Sequence, residues 1–330
     1  MTALNTEDRQ FEEAPKATAD DPRIDPRKFK DRRVTAGGEP RATVHLARLE
    51  TLWFCTGTLC NLACRNCYIE SSPRNDALAY LTTVEVVEYL DEIERERLST
   101  RTIGLTGGEP FMNPDVVPIL EAVLGRGYEA LVLTNAMKPM MRVSGRLLGL
   151  RKRFGARLTV RVSTDHYRRG GHEAERGPKS WAPMLDGLRW LTAHGFRVDV
   201  AGRLGSGEPE AAMRAGYQAL FGEHGIDIDA RDPKRLILFP EMDRRRDVPE
   251  ISRACWRKVG RGPEEMMCAT ARMVLKRKGA ERPVVVPCTL LPYGPAFELG
   301  PTLMSSFTEV PLNHPHCAQF CVLGGASCGG

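Results

Sequence analysis

The stretch Cys60-Asn61-Leu62-Ala63-Cys64-Arg65-Asn66-Cys67 places three cysteines at CxxxCxxC spacing. Four thiolates close a [4Fe-4S] cube, so three would hold three irons and leave the last iron open to another ligand. The alternative is zinc, but structural zinc sites usually pair two short Cys or His elements and need a fourth ligand. No His or second Cys-x-x-Cys pair lies beside this triplet, although Cys55 stands just upstream on a predicted strand. The spacing therefore favours an iron–sulfur cluster.

A glycine motif, Thr106-Gly107-Gly108-Glu109-Pro110, follows about forty residues later. Alone it would indicate an ordinary strand-to-helix turn. Together with the cysteine triplet it resembles the radical S-adenosylmethionine (SAM) superfamily. The resemblance implies that the triplet holds a [4Fe-4S] cluster and that SAM binds the open iron through its amino and carboxylate groups. It also implies that the reduced cluster cleaves SAM to a 5′-deoxyadenosyl radical, which takes a hydrogen atom from the substrate.

Short β-prone runs alternate with helical patterns through the middle of the chain. The runs are 50–55, 101–106, 128–134, 157–163, 196–201 and 235–239. Between them, Thr82 and Glu85 form a capping-box pattern, and the apolar spacing from Ser180 to Gly195 is helical. Such alternation predicts a parallel α/β sheet with right-handed crossovers. The resemblance implies that residues 46–250 form a partial (β/α)6 TIM-like barrel.

The resemblance also assigns contacts with SAM to residues near the carboxyl ends of these strands, where barrels gather ligand groups. These residues are Gly107, Gly108, Glu109, Pro110, Ser163, Asp165 and Tyr68. The glycines would allow a close backbone approach to SAM, so a bulky residue at Gly108 is expected to weaken SAM binding and leave the iron content intact. Tyr68 is included because Asn66 replaces the aromatic residue that often precedes the third cysteine.

Weaker assignments concern other strand ends and one loop. Thr134 with Asn135 and the segment 202–204 with Arg203 could reach the same cofactor. His166, His172 and Glu173 could act as acid–base groups, but loop histidines are more often solvated or hydrogen-bonded. The sequence therefore assigns no catalytic acid or base.

Residues 251–330 are rich in Cys, Pro and Gly, and resemble the auxiliary-cluster domains called SPASM and twitch. Gly279 would centre a hairpin formed by 273–276 and 283–287. The resemblance implies a second [4Fe-4S] cluster whose ligands are Cys268, Cys288, Cys317 and Cys321. A zinc site on the same four cysteines is the alternative. Cys255 and Cys328 remain as spare thiols.

The composition limits the class of protein. The 330 residues include 47 basic and 42 acidic side chains, and the net charge of +5 comes without a long basic run typical of nucleic-acid binding. Residues 1–45 are predicted to be a flexible arm, because few apolar residues lie among many charged ones. No apolar run reaches the ~20 residues of a membrane span, and the N-terminal segment does not resemble a signal peptide. Ten cysteines without these signals indicate metal chemistry in the cytoplasm.

These observations predict a radical SAM enzyme with oxidoreductase-like or rearrangement chemistry. Its substrate is predicted to be a peptide or protein, slightly ahead of a small metabolite. The resemblance further implies a flavodoxin- or ferredoxin-type electron donor. An RNA-modifying radical SAM enzyme and a non-catalytic cysteine-rich zinc scaffold remain as alternatives.

Overall fold

The strands form an open eight-stranded sheet and a small two-stranded sheet in the computed structural model, which describes residues 25–205, 207–243 and 246–327. The strands in these ranges are β1 Thr43–Val44, β2 Thr51–Cys55, β3 Thr102–Thr106, β4 Glu129–Thr134, β5 Leu158–Asp165, β6 Arg197–Leu204, β7 Leu236–Pro240, β8 Ala271–Leu275, β9 Val284–Val286 and β10 Val310–Pro311. The helices are α1 Thr83–Arg95, α2 Val116–Gly125, α3 Lys138–Arg142, α4 Ser144–Phe154, α5 Arg169–Arg176, α6 Trp181–Ala193, α7 Glu210–Glu223 and α8 Cys255–Val259.

Strands β2 to β7 lie side by side in chain order, and each pairs in parallel with the next. All six predicted strands are confirmed. β5 and β6 run further than predicted, because Asp165 still pairs with Gly202 and Leu204 with Pro240. The sheet is unclosed, with β7 and β9 at its edges. This architecture confirms the α/β class and agrees with a partial barrel whose ligand groups gather at the carboxyl ends of the strands.

The predicted helix signals are also confirmed. The Thr82 hydroxyl accepts a hydrogen bond from the Glu85 amide at 3.3 Å, while the Glu85 carboxylate accepts one from the Thr82 amide at 2.9 Å. This reciprocal pair satisfies two donors at the start of α1. In α6, Met184, Leu188 and Leu191 are buried at helical spacing. Such apolar faces cover the sheet on its outer side.

The cysteine-rich part of the chain continues the same sheet. β8 pairs in parallel with β2, and β9 pairs antiparallel with β8, which confirms the predicted hairpin. Gly279 lies in its connecting segment with φ +79°, a backbone conformation that favours glycine. The boundaries proposed for the barrel and the C-terminal unit remain predictions, but the sheet itself runs across both.

The predicted flexible arm differs from the structure near its end. Residues 1–24 lie outside the described residues. Arg41 is fully buried and forms an ion pair with Glu250 at 2.5 Å. Two residues further on, β1 pairs antiparallel with β10. The segment from Arg41 to residue 45 is therefore packed rather than loose, because long-range partners offset the entropy of ordering it.

Candidate functional site

A cavity of about 150 Å³, here called the barrel cavity, lies at the carboxyl ends of the parallel strands. The loop between β2 and α1 brings all three cysteines of the triplet, Cys60, Cys64 and Cys67, to its wall. Six of the seven residues predicted to contact SAM share this wall; Pro110 does not. They are Tyr68, Gly107, Gly108, Glu109, Ser163 and Asp165. Residues far apart in sequence thus meet around one space.

The cysteine triplet is largely enclosed. Backbone amides donate to sulfur at two of its members, from Leu62 to Cys60 at 3.4 Å and from Ser71 to Cys67 at 3.3 Å. Burial raises the pKa of Cys60 to about 12 and also raises that of Cys64. Free thiols here would therefore stay protonated near pH 7. Bound iron would replace the protons, because metal ligation requires thiolates.

The glycine motif serves the cysteine loop directly. The Gly108 amide donates to the Gly57 carbonyl at 2.8 Å, and the Glu109 amide donates to the Leu59 carbonyl at 3.1 Å. A Cβ atom on Gly108 would lie only 2.1 Å from the Leu59 oxygen. The geometry therefore favours loss of iron in a variant with a bulky residue at Gly108, in contrast to the expectation from the sequence. Such a residue would displace the backbone next to Cys60.

The Glu109 carboxylate links the ends of β3 and β4. It accepts hydrogen bonds from the Thr134 hydroxyl at 2.8 Å and from the Asn135 amide at 2.9 Å. It also accepts one from the Phe111 amide at 3.1 Å. Burial raises the pKa of Glu109, although these hydrogen bonds oppose the rise. Glu109 therefore positions two strand ends, and its remaining lone pairs are what it can offer to a ligand.

Asp165 is buried between two arginines at the end of β5. It accepts from Arg176 Nε at 2.7 Å and from Arg203 Nε at 3.0 Å. Burial favours a higher pKa, but the charges of both guanidinium groups outweigh it, so the pKa of Asp165 is lowered. Asp165 has φ +52°, which is uncommon outside glycine and marks a local constraint. Its role is to orient two cations, both of which line the barrel cavity.

Tyr68 forms a wall between the barrel and the C-terminal residues. Its ring lies 4.6 Å from the Arg203 guanidinium and meets Phe239 and Phe320 edge to face. Its hydroxyl donates to the Pro240 carbonyl at 3.1 Å. These contacts fix the ring at the cavity edge. Packing against adenine, as expected from the sequence, would use only the part of the ring that faces the cavity.

Two polar atoms in the cavity wall would suit a polar ligand. Ser71 Oγ and Arg203 Nη1 are buried and have no hydrogen-bond partner among the described residues. Buried polar groups are normally satisfied, so both atoms suit a ligand with carboxylate or hydroxyl groups, as SAM has. Sequence reasoning missed Ser71 and Arg176. Neither stands in a motif, and only the fold brings them to the triplet.

Comparison with known proteins agrees with this geometry. Residues 55–210 match the family described as the radical SAM superfamily. This stretch is a radical SAM domain. The family uses a [4Fe-4S] cluster and SAM, and the triplet, the glycine motif and the two unsatisfied polar atoms of the cavity fit that pair.

Two curated relatives share this domain. The chain is 34% identical over 143 residues to AlbA of Bacillus subtilis, an antilisterial bacteriocin subtilosin biosynthesis protein; the match covers 43% of this chain and 30% of AlbA. It is 29% identical over 137 residues to the mycofactocin maturase MftC of Mycobacterium ulcerans, covering 42% of this chain and 35% of MftC. The chain thus spans about a third of the length of these relatives.

Two solved structures share the fold. SuiB of Streptococcus suis bound to SAM aligns with a TM-score of 0.56 and 11% identity over 77% of this chain and 63% of SuiB. The anSMEcpe protein with bound SAM aligns with a TM-score of 0.54 and 14% identity over 78% of this chain and 80% of that protein. The radical SAM domain therefore has the expected partial-barrel fold.

The loop histidines stand apart from the barrel cavity of this domain. His172 is buried against Trp181, and its Nδ1 contacts the Thr164 carbonyl. Glu173 pairs with Arg169 at 3.2 Å on the same helix. Burial lowers the pKa of both His166 and His172. These surroundings are those of structural residues.

A second cavity, here called the C-terminal cavity, lies beside the radical SAM domain. The cysteines in its wall are Cys268, Cys288, Cys317 and Cys321. The rest of the wall is mainly Met, Leu, Val and Pro, with His316. Burial raises the pKa of Cys268 to about 11 and that of Cys317 to about 12. Cys255 is not in this wall, and Cys328 lies outside the described residues.

The thiols of the C-terminal cavity surround a space without meeting at one point. In the described ranges, no three Cys, His, Asp or Glu side chains are close enough to hold a single metal ion as they stand. One tetrahedral zinc would draw four sulfurs onto one atom, whereas a cube spreads them over four irons. Both the predicted [4Fe-4S] cluster and the alternative zinc ion remain predictions for these four cysteines.

Proposed function

We propose that this chain is a radical SAM enzyme that modifies a peptide or protein. The observation that carries the proposal is the barrel cavity, where three thiols meet the glycine motif and the buried pair of arginines. The match to the radical SAM superfamily supports the same reading.

In this proposal Cys60, Cys64 and Cys67 hold a [4Fe-4S] cluster, and the same cavity takes SAM. When bound, the pair supplies a 5′-deoxyadenosyl radical able to take a hydrogen atom from an unreactive C–H bond. The chain's own residues bind the cluster and SAM, orient them and enclose them. Glu109 fixes the ends of β3 and β4, and the backbone around Gly108 fixes the cysteine loop.

The proposed SAM contacts remain those inferred from the sequence, with one addition. Gly107, Gly108, Glu109, Ser163 and Asp165 stay as candidates, and Tyr68 and Pro110 become supporting residues. Ser71 is added and Arg203 is kept, because Ser71 Oγ and Arg203 Nη1 are buried polar atoms in need of a partner. Thr289 and Leu290 from the C-terminal part complete the wall, so docking of that part would help to exclude water.

The substrate class comes from the relatives. AlbA takes part in bacteriocin biosynthesis and MftC is a maturase, and both names fit peptide modification. A small metabolite remains the alternative. An electron donor of flavodoxin or ferredoxin type and a cytoplasmic location belong to the same proposal. None of the helices in the described part of the chain combines the length and apolar character that a bilayer crossing needs.

The C-terminal cavity would hold the second [4Fe-4S] cluster through its four cysteines. Each side chain there is enclosed by apolar residues, which would shield a cluster from water and oxygen. Complete ligation by four thiolates leaves no iron open. We therefore assign this centre to electron transfer instead of SAM binding.

The test uses anaerobically reconstituted protein with SAM and a reductant. The wild-type chain should carry about eight irons, as two cubes require, and release 5′-deoxyadenosine. The triple variant Cys60→Ala, Cys64→Ala, Cys67→Ala should keep about four irons and release none. Release of 5′-deoxyadenosine by that variant would refute the site. Zinc in place of the retained iron would remove the auxiliary cluster and leave the radical chemistry standing.

A further inference from the structure

Arg272, on β8, is a fully buried arginine whose hydrogen-bond partners are all backbone carbonyls. It donates to Cys268 O at 2.6 Å, to Ala271 O at 2.9 Å and to Ser306 O at 3.0 and 3.1 Å. Its relative exposure is 0%. Carbonyl oxygens orient the guanidinium, but they carry no net charge to balance it. In the described part of the chain, Arg272 forms no ion pair.

Other buried arginines of this protein do have carboxylate partners. Arg41 pairs with Glu250 at 2.5 Å, and Arg161 lies 3.5 Å from Asp199. In the barrel cavity wall, Arg176 and Arg203 share Asp165, as described above. A buried charge without a counter-charge is strongly destabilising. The exception at Arg272 therefore indicates that negative charge arrives from another source.

That source lies next to the guanidinium. The Arg272 guanidinium donates to the backbone carbonyl of Cys268 at 2.6 Å, and Cys268 lies with Cys288 in the wall of the C-terminal cavity. Free thiols of ordinary pKa are neutral near pH 7, whereas thiolates that hold a metal are deprotonated. Loading the cavity with metal would thus create the missing negative charge beside Arg272.

We propose that Arg272 is the counter-charge of an anionic metal–thiolate centre held by Cys268, Cys288, Cys317 and Cys321, and that it raises the reduction potential of that centre. The inference rests on the proposed auxiliary cluster. A [4Fe-4S]²⁺ core with four thiolates is doubly negative, and one electron from an added reductant makes it triply negative. A fixed positive charge nearby stabilises the more negative state, which makes reduction easier.

The experiment uses the full chain with Cys60, Cys64 and Cys67 replaced by Ala, so that the remaining iron belongs to the C-terminal cavity. In this background, Arg272→Gln removes the charge and Arg272→Lys keeps it. The midpoint potential is measured by redox titration with EPR detection. We expect a lower potential for Arg272→Gln and a potential close to the parent for Arg272→Lys. An unchanged potential in Arg272→Gln, with iron retained, overturns this inference and leaves the proposed auxiliary cluster standing.

A second measurement separates charge from the lost hydrogen bonds. Those bonds are absent from Arg272→Gln both with and without iron, so their cost cancels in the gain of Tm on iron loading. That gain should be smaller in Arg272→Gln than in the parent. Arg161→Gln is the matched control, because Arg161 is also buried, lies 3.5 Å from Asp199 and is not in the wall of the C-terminal cavity, and its gain should equal that of the parent. An equal gain in all three proteins overturns the inference.

Two further outcomes are informative. If Arg272→Gln binds no iron, recovery of iron in Arg272→Lys supports the counter-charge, and failure to recover overturns it. If the parent background itself holds no iron, the proposed auxiliary cluster fails and the inference fails with it.

Discussion

The wall of the barrel cavity contains charged and polar side chains among apolar ones, whereas the wall of the C-terminal cavity, apart from its cysteines and His316, consists of Met, Leu, Val and Pro. Both contain cysteines that burial keeps protonated in the free protein. The barrel cavity adds the Asp165, Arg176 and Arg203 cluster and unsatisfied polar atoms, which suit a site that must accept an exchangeable polar ligand. The C-terminal cavity offers four thiols and one nearby guanidinium, which suit a centre that stays closed.

This contrast indicates how one chain would keep two clusters in separate roles. A three-thiol site needs polar surroundings, because the ligand on its open iron brings charged groups that must be paired. A four-thiol site needs none, and an apolar wall protects it.

Removing one ligand of the C-terminal cavity should have the largest effect. Cys288→Ala should abolish metal binding there, because one of the four ligands is lost. The free energy of metal binding also contributes to folding, on the order of 10 kcal/mol for small metal sites, so the C-terminal part should lose stability as well. Limited proteolysis should then cut within residues 255–327 while the barrel stays intact. The matched variant Cys255→Ala, at a cysteine outside the cavity wall, should keep its metal and resist cleavage. Equal resistance of both variants would contradict the contrast.

Substitution of Gly108 should cost the barrel cavity its cluster. Gly108→Val places side-chain atoms against the Leu59 carbonyl, so the cysteine loop must shift. We expect loss of about four irons, one cube, with the C-terminal iron retained. Gly125→Ala is the control, since nothing lies within 4 Å of a Cβ there. Retention of all iron in Gly108→Val, together with weakened SAM binding, would instead support the sequence-based prediction that Gly108 serves SAM binding only.

Neutralising Asp165 should weaken both the fold and SAM binding. Asp165→Asn leaves two buried arginines without their carboxylate, which should lower the free energy of unfolding by about 3–5 kcal/mol. Asp199→Asn is the matched control, because Asp199 also pairs with two arginines, Arg161 and Arg235, but is not in the cavity wall. Both variants should lose stability in a denaturation experiment, and only Asp165→Asn should bind SAM less tightly by calorimetry. Equal SAM affinity in the two would remove Asp165 from the site.

The smallest effect is expected at the boundary between the two cavities. Tyr68→Phe removes the hydrogen bond to the Pro240 carbonyl and keeps the ring contacts, so stability should fall by about 1 kcal/mol. Tyr68→Ala also removes the contacts with Arg203, Phe239 and Phe320, and should cost several times more by chemical denaturation. Similar losses in the two variants would show that the hydroxyl, and not the ring, joins the barrel to the C-terminal part.

The sequence predicted the sheet well because parallel buried strands and capping boxes are local signals. All six barrel strands and the C-terminal hairpin were found from such patterns. It could not place Ser71 or Arg176 at the site, since neither has a local signature and both reach the cavity only through the fold. The sequence also predicted only a contact with SAM for Gly108. The contact of Gly108 with Leu59 joins two separate loops, so no local pattern reveals it.

Two other features required long-range information. Burial of Arg41 depends on Glu250, and β8 joins β2 from the far end of the chain. Neither pairing has a trace in local composition, so the sequence alone predicts a loose arm through residue 45 and does not predict the strand pairing between the barrel and the C-terminal part.

The pairing of β1 with β10 has a consequence for the order of events during synthesis. Thr43 and Glu309, which meet there, are 266 residues apart in the sequence. At about 5–20 residues per second, the early strand waits on the order of tens of seconds for its partner to leave the ribosome. The segment that carries Cys317 and Cys321 follows β10 immediately, so the C-terminal cavity gains its full set of cysteines only after the same delay. Metal would then enter a chain whose barrel has already had time to form.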